Sequence, residues 1–233
     1  IKKSAANFDP TNNKIILDDG SEIGYNYLVV AMGVMLNYGA IDGLEGEITT
    51  LGNSDSVRKK IGKNGVYSLY FVDGSVDTYN GIQEIIQKAK NLKGDKKLQC
   101  IFTDAHTAIK CGGAPKKVMY IANDLITKAG VRDKVEMLFY TNSDKLFSVP
   151  EYAEAIEKQF KARDFKWEFK TRLVAVDTEN QTATLERTWT EKGEWDKDLE
   201  EFEIITKKER FVKNFDFLHI VPPQKAPDAR SEE

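Results

Sequence analysis

The period of the apolar positions changes several times along the chain, and each change predicts an element. Lys14-Ile15-Ile16-Leu17 reads as a strand, closed by the turn Asp18-Asp19-Gly20-Ser21 with glycine where φ must be positive. Tyr27-Leu28-Val29-Val30-Ala31 is a continuous apolar run, the pattern of a strand buried in a parallel sheet, and it ends in Met32-Gly33. A loop with several glycines follows from Leu36 to Gly46, and Val66 to Val72 reads as a strand. From Asp77 to Asn91 the apolar residues Ile82, Ile85, Ile86 and Ala89 fall on one helical face.

The middle of the chain carries the clearest unit. Leu98-Gln99-Cys100-Ile101-Phe102 is a strand, and the loop after it holds His106 and Cys111. A helix begins near Pro115 and ends at Gly130, with proline in its first turn and glycine past its end. Val135 to Tyr140 is the next strand, so this stretch reads as β-loop-α-β, the unit of a parallel sheet with helices packed on it. Pro150 to Ala162 is a further helix. The pattern then becomes a meander: Leu173–Val176 and Ala183–Thr188 around the turn Thr178-Glu179-Asn180-Gln181, then Phe202–Thr206 and Phe217–Val221. Glu191 to Glu201 is densely charged and reads as a solvated hairpin tip, and the tail from Pro222 reads as surface chain or a return to another domain.

Composition narrows the function classes. The chain has 233 residues, of which 41% are hydrophobic and 30% charged, which suits a soluble globular protein. A net charge of −3 and the lack of a Lys/Arg stripe argue against a nucleic-acid partner. No apolar run is long enough to cross a bilayer, and no signal-peptide pattern follows Ile1. Two cysteines are too few for a disulfide scaffold. His106 and His219 lie far apart with no ligand cluster around them, so no metal is expected.

Cys111 is the candidate for chemistry. It precedes a helix start by a few residues, where unpaired N–H groups and the dipole favour negative charge on its sulfur, and Lys110, Lys116 and Lys117 offer electrostatic support. Gly112 and Gly113 leave room for a ligand to approach the backbone. By itself this loop reads first as a structural thiol beside a glycine-rich turn, with surface lysines. Cys100 lies mid-strand, as a buried inert thiol would.

Four stretches together resemble the flavin-dependent sulfide:quinone oxidoreductases. They are Tyr25 to Gly33, the cysteine loop Ile109-Lys110-Cys111-Gly112-Gly113-Ala114-Pro115-Lys116-Lys117, the helix start Val149-Pro150-Glu151-Tyr152-Ala153, and Phe217-Leu218-His219-Ile220-Val221-Pro222-Pro223 with Pro227-Asp228 after it. The resemblance implies an α/β fold of two-dinucleotide-domain flavoprotein type, incomplete here: a Rossmann-like parallel sheet with helices on both faces, plus an antiparallel β-meander. It divides the chain into part of an FAD-binding domain (1–45), a second Rossmann-like domain (46–216) and a re-entry into the FAD domain (217–233). It implies that Ala31, Gly33, Gly112 and Gly113 lie at the cofactor and that Cys111, with a cysteine outside this chain, holds a disulfide or sulfur bridge beside the flavin. Hydrosulfide attacks the bridge, and two electrons pass to FAD and then to quinone.

The departures from the family matter too. No Gly-x-Gly-x-x-Gly turn is present, and Met32 stands where the family has threonine. The chain therefore reads as the central part of a longer enzyme, inactive alone and without tightly bound FAD. The parent would be a peripheral membrane protein through segments not in this chain, and this part would be soluble; homo-oligomerisation stays open. The longer loop after Phe102, and a second strand ending Tyr140-Thr141-Asn142 without an acid, argue against NAD. Two alternatives stay open: the flavoprotein subunit of a cytochrome-linked sulfide dehydrogenase, and a non-catalytic binding module that keeps only the nucleotide-domain shape.

Overall fold

The computed structural model describes residues 2–49, 52–196 and 199–227. Asp228 of the last motif, and Lys197 and Asp198 of the charged tip, lie outside them. In chain order the elements are β1 (Ala5–Asp9), β2 (Lys14–Leu17), β3 (Glu22–Gly24), β4 (Met35–Asn37), β5 (Glu47–Thr49), the one-turn α1 (Asp55–Arg58), β6 (Val66–Tyr67), α2 (Val72–Asn91), β7 (Leu98–Thr103), α3 (Ala114–Lys128), β8 (Val135–Tyr140) and α4 (Pro150–Ala162). They continue with β9 (Phe165–Glu168), β10 (Thr171–Asp177), β11 (Thr182–Asp196), β12 (Glu201–Asn214), β13 (Phe217–His219) and β14 (Gln224–Lys225).

The centre is a five-stranded parallel sheet in the order β6-β13-β7-β8-β9. Its strands alternate between two cores, as the period of 2 requires. Cys100, Phe102, Met137, Phe139 and Phe217 point to one face, where they meet Ile82, Ile85 and Ile86 of α2, Val118, Met119, Ala122 and Ile126 of α3, and Phe160 of α4. Each fully buried phenylalanine here stabilises the fold by roughly 2–3 kcal/mol. Ile101, Tyr140 and Leu218 point to the other face. That face carries the one-turn α1 and, over most of its extent, Leu173, Val176, Ala183 and Leu185 of the β10-β11-β12 sheet rather than further long helices.

The β7-α3-β8-α4 unit forms as its pattern predicts, with β7 and β8 paired in parallel from Leu98↔Val135 to Thr103↔Tyr140. Three expectations are corrected. Tyr27 to Ala31 is not a buried strand: Tyr27 and Val29 are 96% and 88% exposed, and no strand lies beside the run among the described residues. An apolar run without a partner strand has nothing to satisfy its backbone. Val66 to Val72 is only a two-residue strand, because α2 starts at Val72, where Gly74 lets the helix approach the Ser68 carbonyl more closely than any side chain would allow.

The charged stretch after Glu191 is mostly strand. β11 and β12 pair from Thr182↔Asn214 out to Asp196↔Glu201, and Trp195 meets Phe202 edge-on at 4.9 Å. Phe217–His219 pairs in the parallel sheet with Val66–Tyr67 on one side and Cys100–Phe102 on the other. Of the two courses open to the tail, the surface or a return, Val221 to Gln224 takes the second: it is buried, and Gln224–Lys225 pairs with Met35 and Leu36 of β4.

Candidate functional site

Parallel sheets place their ligand crevices at the carboxyl ends of the strands. Here the loop from Asp104 to Gly113 leaves the end of β7 and leads into α3, whose N-cap is Gly113 and whose first turn holds Pro115. Lys116, one turn in, reaches back under the loop. Its Nζ lies 2.9 Å from Asp104 Oδ2 and donates to the Gly112 carbonyl at 3.1 Å; the two side chains are 6% and 9% exposed. Nζ also sits 5.1 Å from the centre of the Phe139 ring. The charge of Lys116 is therefore balanced inside the fold. Lys110 and Lys117 are exposed, as is Cys111 itself. The Cys111 carbonyl accepts the Ala114 N–H at 3.1 Å.

The chain after β13 closes on the same loop. Gln224 is buried; its Oε1 accepts the Lys110 N–H at 2.9 Å, and its own N–H donates to Thr107 Oγ1 at 2.8 Å. β14 pairs antiparallel with β4, and Asn37 N–H donates to the Pro223 carbonyl at 2.8 Å. β4 in turn follows the Tyr25–Gly33 motif. Phe147, just before α4, lies over Gly112, where an added Cβ would be 3.7 Å from its ring. The cysteine loop, the chain after β13 and Phe147 before α4 thus meet at one end of the sheet, while the Tyr25–Gly33 stretch is joined to them only through β4, which pairs with β14.

The site residues expected from sequence occupy that end in different ways. Gly112 and Gly113 are half-buried and would accept a Cβ at ordinary contact distances. Ala31 and Gly33 are exposed; Gly33 has φ +77° with open space where a side chain would start. The open space at Gly33 leaves its backbone accessible to a flat ring system such as a flavin, whereas a Cβ at Gly112 or Gly113 would already touch Phe147 or Lys117. A cleft of about 460 Å³ lies beside the loop, lined by Asp104, His106, Gly112, Lys116, Thr141 and Phe147 among others; Cys111 is not among its lining residues. His106 is held below the usual histidine value, first by burial and then by Arg172.

Three participants escaped the sequence reading. Asp104 directly follows an apolar strand, twelve residues before Lys116, and an acid placed there is a signal that was available. Gln224 gave none, because its contact is set by a strand pairing across the molecule. The Tyr70 hydroxyl is buried with no hydrogen-bond partner among the described residues; burial, then Asp104 and Cys111, push its pKa well above the ordinary tyrosine value. His219 is confirmed as a structural residue, with Nε2 accepting the Leu69 N–H. No grouping of three or more potential metal ligands exists among the described residues. Nor is any helix among them long and apolar enough to cross a membrane.

A parallel sheet flanked by helices, with an antiparallel sheet on its other face and a cysteine loop at the strand ends, is a Rossmann-like α/β arrangement. Solved structures share this fold: the sulfide:quinone oxidoreductase of Aquifex aeolicus (TM-score 0.61, 17% identity, 98% of this chain and 43% of that one), and NDH2 from Plasmodium falciparum in complex with NADH (0.55, 12% identity, 98% and 42%). No family model matches. In sequence the chain is similar to mitochondrial sulfide:quinone oxidoreductases over nearly its whole length. It is 32% identical to the mitochondrial enzyme of Mus musculus over 229 residues (98% of this chain, 42% of that protein) and 31% identical to that of Dictyostelium discoideum over 223 (96% and 40%). The chain thus spans about two fifths of the length of these relatives.

Proposed function

We propose that this chain is part of a flavoprotein that oxidises sulfide and delivers the electrons through FAD to quinone, with Cys111 as a redox cysteine. The observation that carries the reading is Cys111, exposed at the carboxyl end of the sheet between two anchored neighbours, in a loop tied to the chain after β13. Bound FAD supplies the two-electron acceptor. The protein groups supply position: Gly112 and Gly113 keep the approach to the loop open, and Cys111 presents its sulfur at the surface of that approach. With Cys111 in a disulfide, the sulfur of hydrosulfide bonds to one bridge sulfur, the S–S bond breaks and the other cysteine leaves as thiolate. The proton of hydrosulfide goes to solvent and its sulfur stays on one cysteine as a persulfide; FAD, if bound, would take up the two electrons released as that persulfide and the freed thiolate rejoin in a sulfur bridge.

The test is stopped-flow flavin reduction by sulfide in the full-length flavoprotein. Cys111→Ser keeps the shape but not an accessible anionic nucleophile, so it is expected to bind flavin and reduce it at least about a thousandfold more slowly. Cys100→Ser is expected to keep turnover. Near-normal reduction in Cys111→Ser, or loss only in Cys100→Ser, overturns the assignment.

A further inference from the structure

We infer that Asp104, Lys116 and Gln224 form a brace whose task is to fix where Cys111 stands, making Lys116 and Gln224 positioning residues rather than sources of charge for the thiol. The inference rests on the reading of Cys111 as the reactive cysteine. The starting point is a difficulty. A loop from Asp104 to Gly113 with no strand or helix of its own has many conformations open to it, and each freely rotating residue costs about 1–2 kcal/mol to order. A sulfur that must meet both a small nucleophile and a flavin needs its position set to within an ångström or so.

The structure meets that need from outside the loop. Lys116 ties the loop's first residue to its penultimate turn: one ammonium holds Asp104 Oδ2 at 2.9 Å and the Gly112 carbonyl at 3.1 Å. That converts an open loop into a closed ring. Gln224 ties the middle: its side-chain oxygen takes the Lys110 N–H and its backbone N–H takes Thr107 Oγ1. The residues on either side of Cys111 are thereby fixed, one from α3 and one from β14, while the cysteine remains exposed. All three bracing side chains are buried or nearly so, whereas Lys110 and Lys117, the lysines free to act on solvent-borne charge, take no part through their side chains. Because β14 pairs with β4, the brace also links the cysteine loop to the strand that follows Gly33.

The test needs no flavin and uses this chain. Amide exchange over Ile109–Gly113 and the pH profile of Cys111 alkylation by iodoacetamide are measured in the wild type, Gln224→Ala, the charge-neutral double variant Asp104→Asn with Lys116→Met, and Lys116→Arg. The double variant leaves no unpaired buried charge, so it keeps the fold where a single change would risk it. Exchange over the loop is expected to rise about tenfold or more in Gln224→Ala and in the double variant, because the ties that protect it are gone. The midpoint of the alkylation profile is expected to stay at the wild-type pH in the double variant. Lys116→Arg, which keeps donors for both acceptors, is expected to retain the protection. Unchanged exchange in both brace variants, or a displaced midpoint with unchanged exchange, overturns the inference. If sulfide proves not to react through Cys111, flavin reduction reveals it and these two readouts stand apart from it.

Discussion

His219 and Leu69 are joined across the sheet: the imidazole Nε2 accepts the Leu69 N–H at 3.2 Å, from β13 to the chain leaving β6. The bond assigns the ring proton to Nδ1, which is buried and has no acceptor among the described residues. The ring also stacks on Phe102 with centroids 6.2 Å apart.

A pH dependence follows from that burial. Desolvation pushes the His219 pKa down to about 3 from 6.5, so the folded chain prefers the neutral ring. A folded-state value below the unfolded one means the contribution is fully present above pH 6.5 and lost as pH falls toward 3. Between pH 6.5 and 5 the wild type is expected to lose about 2 kcal/mol more than His219→Gln, at ~1.4 kcal/mol per pH unit for one proton. Urea unfolding of both proteins at pH 7 and pH 5 checks this; parallel losses would refute it.

The glycines should separate into two kinds. A Cβ at Gly81, inside α2, would run into the ring of buried Tyr67, so Gly81→Ala is expected to cost about 1–3 kcal/mol through overpacking. Gly112 and Gly113 have room for a Cβ, so their alanine variants are expected to match wild-type stability within ~0.5 kcal/mol. Thermal unfolding gives the comparison. In the full-length flavoprotein, Gly112→Ala and Gly113→Ala are then expected to slow flavin reduction by sulfide while remaining folded. Unaltered reduction would remove these glycines from the cofactor approach.

The two thiols should label at very different rates. Cys100 is 2% exposed in the core under α2 and α3, and its thiol is pushed far up, first by burial and then by Asp216. Cys111 is exposed. Mass spectrometry is expected to find one alkylated thiol in the native chain and two in denaturant. Cys100→Ser is expected to lose about 1–3 kcal/mol by burying a hydroxyl among apolar neighbours; a stability equal to wild type would contradict the packing described for β7.

What the sequence made legible was whatever is decided locally. β8 and α4 begin and end where their apolar runs and proline signals predict, because caps and periodicity act over a few residues. The loop carrying Cys111 was equally readable, since its glycines and proline sit together. What stayed hidden depends on distant partners. Tyr27 to Ala31 has the composition of a central strand, but pairing decides the state of a strand, and here it has no neighbour among the described residues. Glu191 to Glu201 is densely charged, which reads as loop until the ends of β11 and β12 are set side by side. Lys116 looked like a surface cation because the acid beneath it, at the end of β7, comes into reach only when the loop between them folds back.

The placement of β13 has a consequence for how the chain is made. Phe217–His219 lies between β6 and β7, yet it is synthesised more than a hundred residues after β7. A ribosome that has completed β12 holds a chain whose central sheet is split, with β6 and one side of β7 unpaired and Phe102 without the Phe217 ring beside it. Such unfinished edges recruit other chains, and contacts this distant in sequence form slowly. The three residues that close the gap also bring Gln224 to the cysteine loop. A chain stopped before Phe217 would therefore be both prone to aggregate and without the Gln224 tie on its cysteine loop, so that closure of the sheet and seating of the loop wait on the same strand.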